Sequence, residues 1–565
     1  MKITVNDTLL ELYHGAMVKD AILTYYSQAG LKMPKRMPRV EDRYGNIVAP
    51  DGQLAEGNAL FIRSGRRSKG SALKLLWFLC VIGLLADCGS TKHSGATSEI
   101  RNDSPPERQV VIFAVNDMHA AIDNFPKLAY IVDSLKAVYP DMLLVAAGDN
   151  QTGNPVNDQY PEKGLPMIDL MNATGFDLSA VGNHEFDTGP EGFSSLTGKA
   201  DFSFICANLS LDNKYNLRIT PYRITTLPNG LRLAFLGLIQ LGQNGIPDTH
   251  PDHVKGFSFK SPFETARDYL WLKDSSDIFI ALTHLGFEDD VKLAETTPVG
   301  IDLIIGGHSH TRVSKEQVHN GILITQAENK LKYGTLIRLV VDSDGTIHKS
   351  MQLIDIRDSK NEKPAIRDMV DRYNDNQVLN EVIATATDDF TSYEELGYLM
   401  ADAQREAAGA DIALMNPGGV RIDRLAKGPV TIKNVYQLDP FGNELVVTEL
   451  TGAELMSLLS AAWPVDDKHP VYPSGIRTEA KVNPNGDLEE LTVFTENGAP
   501  LDREKAYSVA MNSYMTQVYG YRHSDPGHSL FFTTAEALIN YLKDKKNIIS
   551  YRREKRVRVV SSSQH

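Results

Sequence analysis

The 565-residue sequence predicts an α/β protein, and three observations carry that expectation. Five apolar runs of strand length (Val110 to Val115, Leu143 to Ala147, Leu178 to Val181, Ile278 to Thr283 and Leu303 to Ile305) each stop at a short polar cluster, three of them opening on glycine. That is the pattern of buried core strands. Further on, a strand pattern from Glu444 to Leu450 runs into a helix opening at Thr451, where T-x-x-E is a capping box. Composition is ordinary for a globular chain, 42% hydrophobic and 23% charged, and the length accommodates three domains.

From the N-terminus, Lys2 to Leu12 alternates as a strand and Met17 to Ser27 repeats as a helix. Asp42 to Val48 contains a Y-G-N turn, and Gln53 to Ile62 ends on a strand. Residues 1–64 therefore read as a small α+β unit that resembles the β-grasp sulfur carriers. It lacks their terminal Gly-Gly, since the last strand runs into Arg63, Ser64 and Gly65. Carrier chemistry is not expected; a cytoplasmic interaction or sensing role fits such a unit.

Residues 65–108 are different. Arg66, Arg67, Lys69 and Lys74 lead into an apolar run, Leu75 to Ala86, that stops at Asp87. The run is short of the about 17 to 25 residues a bilayer span needs, but it suits a signal-peptide core. The stop L-A-D-C-G-S resembles a bacterial lipobox, which implies a lipidated Cys88 and a polar tether to Gln109. The expectation is an exported body tethered to the membrane at the cell envelope, in the periplasm or at the cell surface. The basic flank then leaves the N-terminal unit on the cytoplasmic side, with an uncleaved anchor as the rival arrangement. Of three cysteines only Cys206 lies outside this segment, so the body has no disulfide framework.

Each of the five apolar runs of the body delivers metal-ligand residues at its end. They are Asp117 and His119 in N-D-M-H, Asp149 in G-D-N, Asn183 in G-N-H-E-F-D, His284, and His308 with His310 in G-G-H-S-H. In open α/β sheets ligands gather beyond the carboxyl ends of strands. Spacing of one intervening residue on an extended segment would point Asp117 and His119, and likewise His308 and His310, to one side. Oxygen and imidazole donors without cysteine suit Zn, Mn or Fe. Seven are too many for one tetrahedral ion. Two ions about 3.5 to 4 Å apart, sharing a carboxylate, would use them all and would serve phosphoryl hydrolysis. His184, with Asp187 three residues on, can be held cationic beside the ions.

These motifs resemble those of the calcineurin-like metallophosphatases, within them the 5'-nucleotidase family; the resemblance runs over roughly residues 109 to 555. It implies a four-layer αββα metallophosphatase sandwich over 109–355 and a mixed α/β C-terminal nucleotidase domain over 381–560. By the same resemblance Asp117, His119, Asp149 and His310 hold one divalent ion. Asp149, Asn183, His284 and His308 hold the other, and His184 with Asp187 forms the catalytic dyad.

In the C-terminal half, N-P-G-G-V-R (Asn416 to Arg421) offers Gly418 and Gly419 for close backbone approach and an Arg421 fork for phosphate. The stretch D-P-F-G-N follows at Asp439. By the resemblance Asn416, Arg421 and Phe441 line a substrate pocket, with Tyr514 in the slot of a stacking aromatic. The family's G-G-D-G loop is missing, and Gly520 stands where its ribose-binding Asp would be. Charged, helix-compatible residues from 356 to 380 read as a hinge linker. A formal net charge of −14 argues against a nucleic-acid groove, while paired ions would make the site itself attractive to anions.

The activity expected is a phosphoric ester hydrolase releasing phosphate from nucleoside monophosphates. The alternatives are a 2',3'-cyclic nucleotide phosphodiesterase or UDP-sugar pyrophosphatase on the same centre, or a two-domain binding protein without turnover.

Overall fold

The computed structural model describes residues 1–561 except 32, 35–36, 64–107, 212–214, 243–244, 298–299, 376 and 466–468. The lipoprotein-like segment and the expected Cys88 lie outside the described residues. Among the described residues no helix is long and apolar enough to cross a membrane.

Two sheets face each other in the first large domain. One has seven strands in the order Ile219–Thr220, Ser203–Ile205, Leu178–Ala180, Leu143–Ala146, Arg108–Val115, Tyr333–Val341, Ile347–Asp355. Its first five strands are parallel. The other sheet has six strands, with Arg232–Ile239, Ile278–His284, Leu303–Ile305 and Ile322–Thr325 parallel at its centre. The unbroken apolar runs have a direct cause, since each strand is covered on both faces. In Arg108–Val115, Val110, Ile112 and Ala114 enter the core between the sheets, while Val111, Phe113 and Val115 pack under helices on the outside. In Ile278–His284, Ile278, Ile280 and Leu282 face the inter-sheet core, and Phe279 and Ala281 face the helix layer of the second sheet. The layers are therefore helix, sheet, sheet, helix. Helix Pro364–Asn374, within the expected linker, adds Ile366 and Val370 to the outer core of the first sheet.

The C-terminal part centres on a five-stranded sheet, in the order Tyr472–Ser474, Ile412–Met415, Ala506–Asn512, Glu444–Thr451, His528–Thr533. Helices Tyr393–Ala408 and Thr534–Lys545 contribute to one hydrophobic core, and Gly452–Val465 to another. Capping chemistry fixes where these helices begin. Ser392 accepts from Glu395 N, and Thr533 exchanges hydrogen bonds with Glu536. At Thr451 the expected box is present, Thr451 N donating to Glu454 Oε2 at 2.8 Å.

Residues 1–63 form a sheet with the order Ile47–Val48, Arg39–Asp42, Ala59–Arg63, Lys2–Val5, Thr8–Glu11, and a helix, Val18–Gln28. The single strand expected over Lys2 to Leu12 is a hairpin, because Asn6 and Asp7 turn the chain with φ of 46° and 63°. This unit is docked between the other two. His14 N donates to Gly527 O and Ser529 N to His14 O, while Ile47–Val48 pairs with Thr311–Arg312 of the sandwich.

Candidate metal centre and substrate pocket

Five strand ends meet at one edge of the paired sheets, and all seven expected ligand residues are buried there. Within the cluster, His310 Nε2 lies 2.9 Å from His119 Nε2 and 3.5 Å from Asp117 Oδ1. His284 Nε2 lies 3.1 Å from Asp149 Oδ2, and His308 Nδ1 lies 3.1 Å from Asn183 Oδ1. Potential donor atoms of Asp117, His119 and His310 lie within 4.8 Å of one another, as do those of Asp149, His284 and His308. A third such group, His119, Asp149 and His184, joins the two.

The route by which these side chains converge is not extended backbone. Asp117, His119, Asp149, His308 and His310 all have positive φ, between 45° and 80°. Non-glycine residues enter this region at a cost and collect at functional sites, where surrounding structure holds them. The holding groups are visible. Glu185, fully buried, accepts from the backbone N–H groups of Asp149, Asn150 and Gly182 at 3.0, 2.7 and 2.6 Å. Asn116 Nδ2 donates to Asp117 Oδ2 at 2.5 Å, and His308 N donates to Asp117 Oδ1 at 3.0 Å. Close approach explains two glycines. A Cβ on Gly182 would sit 2.3 Å from Asp149 Oδ1, and one on Gly307 would sit 2.5 Å from Ala147 O.

The donor set fits divalent cations. Burial, reinforced by His310, pushes His119 down to about 4, and burial with His284 pushes His308 down to about 3, so both imidazoles offer lone pairs at neutral pH. Burial opposes charge on His284 and His310 too. There Asp149 and Asp117 outweigh it and raise each to about 9, protons standing where positive charge is wanted. His284 Nε2 is buried and turned into the cluster, 3.1 Å from Asp149 Oδ2. An imidazole nitrogen left in that position is what a metal ligand looks like.

His184 stands at the rim with Nδ1 2.7 Å from Asp187 Oδ2. Burial works against its cation, but Asp187 and Asp149 prevail and lift it to about 10. Asp187 is held well below the usual carboxylate range, the His184 charge overcoming its burial. Thr249 Oγ1 also donates to Asp187 Oδ1 at 3.3 Å. Sequence reasoning missed Thr249 and its neighbour Asp248, whose backbone O accepts from Asn183 Nδ2 at 3.0 Å and whose buried carboxyl is pushed up to about 7. They lie in a stretch without periodicity or motif, so nothing in the sequence singled them out.

Asn416, Gly418, Gly419, Arg421, Phe441 and Tyr514 line one cavity of about 580 Å³ in the C-terminal part. Tyr393, His469 and Tyr472, which the sequence reading did not single out, line it as well. Arg421 stacks over the Phe441 ring at 5.5 Å, and Asn416 Oδ1 accepts from Asn512 Nδ2 at 2.8 Å. None of the expected metal ligands lines this cavity.

The calcineurin-like phosphoesterase profile matches residues 110–312, and the 5'-nucleotidase C-terminal domain profile matches residues 380–521. The chain therefore carries a calcineurin-like phosphoesterase domain followed by a 5'-nucleotidase C-terminal domain. Among curated relatives, the trifunctional nucleotide phosphoesterase protein YfkN of Bacillus subtilis is 27% identical over 531 residues, 81% of this chain. The chain spans 36% of that relative's length. Protein UshA of Escherichia coli is 28% identical over 465 residues, covering 71% of this chain and 83% of UshA. In structure, a 5'-nucleotidase precursor from Thermus thermophilus aligns with a TM-score of 0.50 and 26% identity, covering 81% of this chain and all of that one. In this family the fold implies divalent metal ions, and the buried donor groups described above are candidates to hold them.

Proposed function

We propose that this protein is a metal-dependent phosphoric ester hydrolase that releases phosphate from nucleoside monophosphates. The observation that carries the reading is the convergence of six buried donors in two groups, with Asn183 beside His308 and a cationic His184 flanking them. We assign Asp117, His119, Asp149 and His310 to one ion, and Asp149, Asn183, His284 and His308 to a second, with Asp149 shared. Zn or Mn suits these donors. When bound, two such ions supply Lewis-acid polarisation of the phosphoryl oxygens and a water activated for in-line attack.

The chain's own residues do the rest. Asp187 occupies His184 Nδ1, which leaves Nε2 as the donor available to a phosphoryl oxygen as negative charge builds. Thr249 steadies the other oxygen of Asp187. Phe441 and Tyr514 offer flat faces to a base, and Arg421 with the Gly418 and Gly419 backbone offers donors to anionic or hydroxyl groups. The cavity and the ligand cluster share no residue, and we infer that the domains move relative to one another when both engage one substrate. We assign that hinge to the stretch after helix Pro364–Asn374, before strand Val382–Ala386.

YfkN is called a trifunctional nucleotide phosphoesterase, which supports nucleotides as the substrate class. We infer attachment at the cell envelope through the apolar run at 75–86. We take residues 1–63 to lie on the same side of any membrane as the sandwich, a reading supported by the hydrogen bonds and strand pairing between them.

Metal-replete protein assayed against mononucleotides, 2',3'-cyclic nucleotides and UDP-sugars tests the reading. Phosphate release from mononucleotides is expected. Release from none of the panel would leave a two-domain binding protein.

A further inference from the structure

We propose that the N-terminal unit completes the metal centre, with Asp51 as the positioning residue that orients His310. This rests on the metal-centre reading above.

The unit is zipped onto the strand that carries the ligand. Val48 pairs with Thr311 and Ile47 with Arg312, immediately after His310, and Ala49 N donates to His310 O at 3.2 Å. The following turn, Pro50-Asp51-Gly52, lies against Ser309. A Cβ on Gly52 would stand 2.3 Å from Ser309 O, so only glycine lets the turn approach this far. There Asp51 Oδ1 comes to 3.3 Å from His310 Nδ1. The carboxylate is itself fixed, Asn329 Nδ2 donating to Oδ1 at 2.8 Å and Lys330 Nζ pairing with Oδ2 at 2.8 Å.

Tautomer logic makes Asp51 necessary. His310 turns Nε2 toward His119 and Asp117, so a metal taken there leaves the proton on Nδ1. That N–H needs an acceptor. Asn329 Nδ2, 3.0 Å away, is a donor, and the amide is held in that sense because its oxygen accepts from Lys332 Nζ at 2.7 Å. The acceptor is Asp51. Two other ligand histidines find theirs inside the sandwich, His119 Nδ1 at 3.0 Å from Thr152 O and His284 Nδ1 at 2.7 Å from Ala147 O. His310 alone among these three draws on a residue 259 positions away, in a different folding unit. Outer partners of this type fix the ring and raise ligand basicity, and losing one costs about 10- to 100-fold in metal affinity.

The test uses the full chain and chelator-competition titration with zinc. Asp51→Ala is expected to weaken one of the two zinc sites by about 10- to 100-fold and leave the other unchanged, with turnover recovering at saturating zinc. Asp51→Asn keeps an oxygen acceptor and is expected to lose less. A purely structural role, through the Lys330 ion pair, would make both variants equal. Glu288→Ala, which removes the Arg43 ion pair elsewhere on the same interface, is expected to bind zinc like the parent. Parent-like zinc binding by Asp51→Ala would overturn the proposal while leaving the phosphatase reading intact. Zinc retained at both sites by Asp149→Asn would instead bring down the reading beneath it.

Discussion

The metal-ligand cluster and the C-terminal cavity are built on opposite principles. In the cluster every expected ligand side chain is buried, five of them stand on left-handed backbone, and Glu185 ties two turns together through three backbone N–H groups. In the cavity Phe441 is 47% exposed and Tyr393 48%, and recognition is left to aromatic faces, a stacked arginine and two glycines. The first is preorganised for one geometry, as a charge-stabilising site must be. The second has slack, which suits the proposed closure of one domain over the other. Substitutions should accordingly be all-or-none in the cluster and graded in the cavity.

The largest effect is expected at the shared carboxylate. Asp149→Asn should strip metal and reduce phosphate release to background, as read by elemental analysis beside the assay; activity in a metal-free preparation would break the comparison. One step down, His184→Ala should cost about 10²- to 10³-fold in turnover with metal content unchanged. Were metal lost as well, His184 would belong among the ligands. In the cavity, Phe441→Ala should raise KM by about three- to ten-fold through lost stacking and leave kcat nearly constant. A collapse of kcat there would mean that the cavity is as rigid as the metal cluster.

The smallest effect concerns pH in metal-free protein. His184 has its folded value raised from 6.5 to about 10, so its contribution to stability is complete below 6.5 and is lost as pH rises toward 10. Thermal melts of the parent and of Asp187→Asn should therefore diverge most just below pH 6.5 and converge at strongly alkaline pH. Parallel curves across that window would show that the pair is not an ion pair in solution.

The sequence made the cluster legible because its signals are local. An apolar run covered on both faces is continuous whatever lies far away, and its end is marked by glycine and a ligand residue within a few positions. Arg108–Val115 and Ile278–His284 are found within two residues of where their patterns put them. The backbone route was less legible. D-x-H on extended chain predicts convergence by strand alternation, but Asp117 and His119 reach the site through left-handed turns held by Asn116, Gly148 and Asp149. Glu185 sits within the G-N-H-E motif, yet its three backbone partners come from two turns that only the fold brings together. Docking of residues 1–63 left no trace in the sequence. The pairing of Ile47–Val48 with Thr311–Arg312 is a match of two short edges, and a pair of two-residue strands carries no periodicity to read.

The proposed hydrolysis depends on a pair of divalent ions held by seven side chains around Asp149. Elemental analysis of an active preparation, followed through stepwise chelation, tests it most directly. Two equivalents per chain, with phosphate release falling as they are removed and returning as they are restored, is the expected result. Full activity with fewer than two equivalents would contradict it.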